Sequence, residues 1–296
     1  MSEYVHQPMI TYLGNKRKLI KDIEDVIKKV QPKSVVDAFS GSGVVSRMLL
    51  TYSDTLHVND LETYCEVLSN CFLKTPLPKD QREIRKHIDT MNTLPVRDGF
   101  ISELYAPNDS NEIQEDERCF YTKENAGKID AMMDYVHTKV PKKLKPYCLG
   151  PLLVKCSIHT NTSGVFKGFH KGGWGGKKGN ALDRIKGTIH LECPIWHETP
   201  KNVIVERRDV LDFLDTLPEV DLIYLDPPYN QHPYGSNYFM LNLIATNKKP
   251  EQISKVSGIP ENWNRSKYNY KRQIKDTMTR TLELSTPWYH TATKDL

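Results

Sequence analysis

No two of the six cysteines, at 65, 71, 119, 148, 156 and 193, stand in a Cys-x-x-Cys pair. A zinc ribbon or a redox dithiol needs that spacing, so no metal set is expected, and reduced thiols in a cytoplasmic protein are the plain reading. No stretch reaches the roughly 18 uninterrupted apolar residues of a membrane span. The N-terminal Met-Ser-Glu-Tyr-Val-His-Gln-Pro lacks the basic-then-apolar pattern of a secretory signal. Internal repeats and low-complexity tracts are absent too. What remains is a 296-residue chain, 38% hydrophobic and 26% charged, the composition of one large globular domain or two of ordinary size.

The net charge of +4 hides a strong asymmetry. Lys139 to Gly187 carries ten Lys and one Arg against the single acid Asp183, and Asn247 to Arg280 carries nine basic residues against three acids. The rest of the chain is therefore acidic, with five acids between Asp109 and Glu117 alone. Two basic zones on an acidic chain read as a polyanion footprint. Eight of the 16 glycines fall between Gly164 and Gly187, too many for a helix or a buried strand. That segment reads as a mobile basic loop with aromatics, a composition that orders against nucleic acid, with a plain linker as the bland alternative.

Along the chain, Lys18 to Val30 repeats apolar residues at helical spacing and Pro32 stops it. Ser34 to Phe39 reads as a buried strand, followed by Ser40-Gly-Ser-Gly and an apolar helical run from Val44 to Leu50. A second strand, Leu56 to Asp60, and a second helix, Leu61 to Leu73, complete the opening of a doubly wound parallel sheet. Helices are expected over 79–91, 122–140 and 238–245, and strands over 202–206 and 220–225. A crossover needs far fewer residues than separate the second and third strands, so an inserted, mainly helical module is expected between them. The boundaries are a discontinuous catalytic domain at 1–75 and 198–296 and an inserted domain at 76–197.

Asp37-Ala-Phe-Ser-Gly-Ser-Gly forms the first chemical motif. Gly41 and Gly43 let backbone pass close to a ligand at the carboxyl edge of the sheet, and Asp60 stands where a ribose-binding acid is wanted. Ser46 replaces the third glycine of a dinucleotide fingerprint, and Asp37 would repel a pyrophosphate yet suit an ammonium group. The turn therefore tilts from NAD toward a phosphate-free nucleoside such as S-adenosylmethionine, although Asp37 as a simple turn or capping residue is the bland alternative. The second motif is Asp226-Pro-Pro-Tyr after Leu222-Ile-Tyr-Leu. Two prolines end a central strand and hold Asp226 and the Pro227 carbonyl as acceptors, as an exocyclic amino group requires. Pro228 stiffens the turn and Tyr229 offers a face for stacking a base.

Both motifs, in this order and at this separation, resemble the N6-adenine DNA methyltransferases of the α arrangement (the D12, or DNA adenine methylase, family). Tyr12-Leu-Gly-Asn-Lys-Arg-Lys-Leu is similar to the family's N-terminal motif. Asn161-Thr-Ser-Gly-Val-Phe-Lys-Gly-Phe and Tyr234-Gly-Ser-Asn-Tyr-Phe resemble the members that accompany type II restriction endonucleases. The resemblance runs from about Pro8 to about residue 275. It implies a Rossmann-like methyltransferase sheet with an inserted target-recognition domain, and transfer of a methyl group from S-adenosylmethionine to adenine N6 of double-stranded DNA by base flipping and direct displacement. The cofactor pocket it implies comprises Tyr12, Lys16, the turn residues Asp37, Phe39, Ser40, Gly41, Ser42 and Gly43, then Asp60, Asp209, Val210 and Asp226. Asp226, Pro227, Pro228 and Tyr229 are the expected catalytic residues. Lys167, Lys171, Lys177 and Lys178 are candidates for phosphates, with Asn161, Ser163 and Trp174 nearer bases. The chain has no Pro-Cys, which cytosine-C5 chemistry needs. N4-cytosine enzymes usually carry Ser in place of Asp226. A prokaryotic, cytoplasmic, nucleoid-associated role follows from the resemblance.

One departure stands out. A sheet of this type has about seven strands, three of them after the catalytic turn, yet beyond Pro250 no run of four apolar residues occurs. The expectation is that the last strands are missing, leaving an open edge that a second polypeptide could cover. A truncated or split subunit needing a partner, and an RNA or other amino-group methyltransferase, are the competing readings.

Overall fold

The computed structural model describes residues 3–171, 173–176, 179, 181–228 and 233–265. Four strands, β1 Ser34–Asp37, β2 Thr55–Asn59, β3 Asn202–Glu206 and β4 Leu222–Tyr224, form a wholly parallel sheet in the order β3-β2-β1-β4. This is a mixed α/β architecture of Rossmann-like type. β1 pairs with β2 and β4, matching Val36 with His57 on one side and with Ile223 on the other. Side chains alternate across the pleat. Val35 and Leu56 enter the main core, whereas Val36 joins a smaller cluster with Val210, Phe213 and Val220. Val35 and Val36 are both fully buried, which explains why the central strand reads as continuous rather than alternating hydrophobic residues.

Local signals account for most of the helices. A 3-10 turn, Arg17–Leu19, leads into the helix Ile20–Val30, which carries Asp22 in its first turn and Lys28 and Lys29 in its last. Gln31 closes it in a left-handed conformation, φ 50°, just before Pro32. The buried stripe is narrower than the apolar spacing implies, since Leu19, Val26 and Val30 remain exposed. Pro78–Thr93 and Lys123–Lys139 form as expected, the second capped by Thr122, whose hydroxyl accepts the Asn125 N–H at 3.1 Å. Lys145–Ile158 is apolar around its whole circumference and so carries no amphipathic period; every residue from Tyr147 to Val154 is buried.

The long connection between β2 and β3 is mainly helical, but its packing is not confined to itself. Lys145–Ile158 lies against Thr63–Phe72 and Phe239–Thr246. Ile84, Phe120 and Leu152 belong to the same apolar cluster as Val35, Leu56 and Phe72. Among the described residues β4 has a strand neighbour on its β1 side alone. Residues 247–265 contain one isolated antiparallel bridge, Ile253 to Pro260, and are anchored where Tyr105 donates to the Gly258 carbonyl (2.9 Å) and Arg118 to the Lys255 carbonyl (2.9 Å). Residues 266–296, which hold most of the segment expected to lack the last strands, lie outside the described residues. Among the described residues no helix is long and apolar enough to cross a membrane, and all six cysteines are free thiols.

Candidate active site

The strand order reverses at β1, with β2 on one side and β4 on the other, and an open parallel sheet of this kind binds ligands outside the carboxyl ends at such a point. A cleft of about 900 Å³, counted with its open mouth, lies there. Of the expected cofactor residues it is lined by Tyr12, Lys16, Asp37, Phe39, Ser40, Gly41, Ser42, Asp60, Asp209, Val210 and Asp226, and by Pro228 of the expected catalytic set. Gly43 does not line it; it caps the helix Val44–Tyr52 with φ 76°, its N–H donating to the Ser40 carbonyl at 2.8 Å. Pro227 is not among the lining residues. Tyr229 lies outside the described residues.

The first turn is built by close approach. Gly41 adopts φ +52°, and a Cβ there would stand 2.8 Å from Cε1 of Tyr12, so both conformation and space require glycine. Asp60 braces the turn from the end of β2: Oδ2 accepts the Gly41 N–H at 2.8 Å and Oδ1 the Glu62 N–H at 3.0 Å. Its first duty is thus to shape the turn. Asn59 was not expected from sequence, yet its amide donates to the Arg208 carbonyl (3.1 Å) and accepts the Arg208 N–H (3.2 Å), stitching the ends of β2 and β3 together. Asp209 caps the helix Val210–Leu214, with Oδ1 accepting the Leu211 N–H at 3.0 Å.

Asp37 is buried, and burial above all raises its carboxyl to about 7, with the nearby charges of Asp226 and Asp60 adding to the rise. Ser46, which stands where a third glycine would be, donates to Asp37 Oδ2 at 2.6 Å and opposes that rise. Asp37 Oδ1 and Ser40 Oγ are buried with no hydrogen-bond partner among the described residues. Glu62, a further lining residue that sequence reasoning missed, is also raised to about 7 by burial and is held by the Asn242 amide at 2.5 Å. Among the described residues five acids line the cleft, against Lys16 and Arg208. Two orphaned buried oxygens beside an acidic, partly apolar wall suit a cationic nucleoside, as S-adenosylmethionine is.

The second turn presents Asp226 toward the N-terminal motif. Lys16 Nζ lies 2.6 Å from Asp226 Oδ2. Tyr12 stacks on Tyr234 and Tyr238, at ring separations of 5.1 and 5.0 Å, so residues before β1 are clamped to those after the Asp-Pro-Pro turn.

The basic glycine loop differs from its sequence reading. Phe166 is buried and Phe169 packs edge-on against Phe120 at 4.9 Å, so these aromatics anchor the loop in the core. Trp174 is partly buried and its indole N–H donates to the Ser110 carbonyl at 2.8 Å. Asn161 is fully buried: its amide donates to the carbonyls of Cys119 (3.0 Å), His170 (3.2 Å) and Gly173 (3.2 Å) and accepts the Gly175 N–H (2.9 Å). In this arrangement Asn161 holds the loop and does not face outward. Ser163, Lys167 and Lys171 are exposed, while Lys177 and Lys178 lie outside the described residues. The loop is tied to the segment that follows the Asp-Pro-Pro turn, because Phe166 N–H donates to the Asn237 carbonyl at 2.7 Å.

The chain is 30% identical over 274 residues to the type II methyltransferase M.CviAII of Paramecium bursaria Chlorella virus 1, covering 90% of this chain and 77% of that one. It is 28% identical over 275 residues to the type II methyltransferase M.NlaIII of Neisseria lactamica, with the same coverage of both chains. The modification methylase LlaI of Lactococcus lactis subsp. lactis shares 30% identity over 262 residues, 83% of this chain and 40% of that protein. The model of the D12 class N6 adenine-specific DNA methyltransferases matches residues 12–294. A chain matched over nearly its whole length, with the family's two turns meeting at one cleft, belongs to the D12 class of adenine-specific DNA methyltransferases.

Proposed function

We propose that this chain methylates adenine N6 at a specific site in double-stranded DNA, as the protective partner of a restriction endonuclease. The observation that carries the reading is the convergence of the glycine turn of β1 and the Asp-Pro-Pro turn of β4 on one acidic cleft. S-adenosylmethionine, held by Tyr12, the 37–42 turn, Asp60 and Asp209, supplies an electrophilic methyl group. Asp226 and the Pro227 carbonyl accept hydrogen bonds from the two amino hydrogens of a flipped adenine and localise its nitrogen lone pair, with Tyr229 stacking on the base; the lone pair forms the N–C bond as the sulfonium S–C bond breaks, S-adenosylhomocysteine leaves, and the surplus amino proton passes to solvent. Asp37 Oδ1 and Ser40 Oγ are available to polar groups of the cofactor. No covalent enzyme intermediate is needed, since positioning and charge supply most of the rate. Residues 76–197 carry target recognition in this reading, with exposed Lys167 and Lys171 on phosphates.

The test is transfer of radiolabel from S-adenosylmethionine to unmethylated bacterial DNA, beside an Asp226→Ala control. The expected product is N6-methyladenine, with a loss of at least about 1000-fold in the control. Labelled cytosine, or RNA outcompeting duplex DNA, would overturn the reading. A second reading, activity only with a partner chain, is motivated by β4 standing at the sheet edge among the described residues. Turnover by the isolated chain would dismiss it.

A further inference from the structure

We infer that Lys16 is a positioning residue for the Asp226 carboxylate, and not chiefly a cofactor contact. The inference rests on Asp226 being the acceptor for the adenine amino group. Lys16 Nζ lies 2.6 Å from Asp226 Oδ2 and also donates to the Gly14 carbonyl at 2.9 Å, so the ammonium is fixed by two acceptors rather than swinging on a free stem. Both side chains of the pair are mostly shielded from water, where a lysine–carboxylate contact is screened least.

The loop that carries Lys16 is itself held by the segment downstream of the catalytic turn. The Leu13 N–H donates to the Tyr238 hydroxyl at 2.7 Å, and the Tyr234 hydroxyl donates to the Leu13 carbonyl at 3.2 Å. Tyr12 lies in the stack with both rings. The clamp therefore closes a ring of contacts: Asp226, the chain to Tyr234 and Tyr238, the Tyr12–Lys16 loop, and back to Asp226.

Electrostatics give the ring a purpose. Asp37, Asp60 and Asp226 share the cleft, and the charges of Asp226 and Asp60 act on Asp37. A catalytic carboxylate in such company is pushed away from its neighbours unless a cation holds it. Lys16 engages one oxygen of Asp226, leaving the other as the natural acceptor for a substrate N–H. A carboxylate locked by one oxygen has one fewer torsion to settle when adenine arrives, which is what preorganisation requires.

The test compares wild type, Lys16→Met and Lys16→Arg in single-turnover and steady-state methylation, with calorimetry of S-adenosylhomocysteine as a readout independent of turnover. Lys16→Met should lower kcat about 100-fold while S-adenosylhomocysteine affinity stays within about threefold, and Lys16→Arg should recover at least about tenfold of the lost rate. Adding Lys16→Met to Asp226→Asn should lower the residual rate by less than about threefold, because Lys16 acts through a carboxylate already removed. A loss of S-adenosylhomocysteine affinity with kcat preserved at saturation would overturn the inference in favour of a cofactor contact. A rise in kcat would overturn it in favour of a plug that substrate must displace. Full additivity in the double variant would also sink it. If Lys16→Met does not fold, Lys16→Gln carries the same comparison. A wild-type chain that methylates no adenine would instead remove the functional reading beneath it.

Discussion

Two glycine-rich segments of this protein look alike in composition and are held in place by different means. In the turn after β1, the Tyr12 ring occupies the space a Cβ at Gly41 would need, 2.8 Å away, and Asp60 ties the backbone from below. In the basic loop, Gly168 has nothing within 4 Å of its would-be Cβ, whereas a Cβ at Gly176, φ +67°, would stand 2.9 Å from the His170 ring, and the segment is tied down by the buried Asn161 amide together with Phe166 and Phe169. Glycine marks close approach to a segment distant in the chain at Gly41, and to the loop's own His170 at Gly176. Asn161 fixes the path of the loop from its base, with four hydrogen bonds to backbone atoms of Cys119, His170, Gly173 and Gly175.

The comparison can be broken most severely at Asn161. Asn161→Ala strands several buried backbone groups and should destabilise the fold by about 3 kcal/mol, read as the midpoint shift in urea unfolding. Asn161→Asp, which keeps shape but cannot donate, should recover little. A cost below about 1 kcal/mol for the alanine variant would show that the loop holds itself. Gly41→Ala comes next, at about 2 kcal/mol, from a left-handed backbone that disfavours a side chain and a ring that must move. Its distinguishing mark is a loss of S-adenosylhomocysteine affinity, measured by calorimetry, which Asn161→Ala should not show.

A third prediction sharpens the chemistry of the turn. Burial raises Asp37 from its ordinary 3.8 to about 7, so the folded state favours the protonated form. Its stabilising contribution is complete below pH about 4 and is lost as pH rises through about 7. Binding of a ligand's ammonium group to Asp37 has the opposite sign, because it demands the ionised carboxylate. S-adenosylhomocysteine affinity should therefore rise roughly tenfold between pH 6 and 8, and Asp37→Asn should flatten that dependence. A pH-independent affinity in the wild type would rule out Asp37 as the ammonium acceptor. Smallest of all, Gly168→Ala should change stability by no more than about 0.5 kcal/mol. A large cost there would mean that the loop packs more tightly than its open space shows.

Much of the fold was legible along the chain. β1, β3 and β4 fall inside runs that read as strands, β2 lies one residue ahead of its expected run, and Pro78–Thr93 and Lys123–Lys139 lie within two residues of their expected spans. Lys145–Ile158 escaped notice because its apolar residues surround the helix and Pro151 sits within it, so no 3.6-residue period marks it. The cleft was legible in its turns but not in its supports. Asn59 and Glu62 sit beside Asp60 with nothing in their spacing to single them out, and their roles depend on Arg208 and Asn242, far away in the chain. The loop aromatics misled for the same reason: exposure to a ligand and burial in the core look identical when only the residue type is known.

The sequence by itself determined the two turns and the chemistry they offer. Glycine at a crowded bend, two prolines closing a strand and acids at strand ends are short-range facts, legible wherever steric limits act within a few residues. Tertiary structure alone decided that Lys16 reaches Asp226, that Tyr12 stacks between residues more than two hundred positions away, and that Asn161 turns inward. Those partners are chosen by which surfaces the packed sheet and helices bring together, and no local preference encodes that choice.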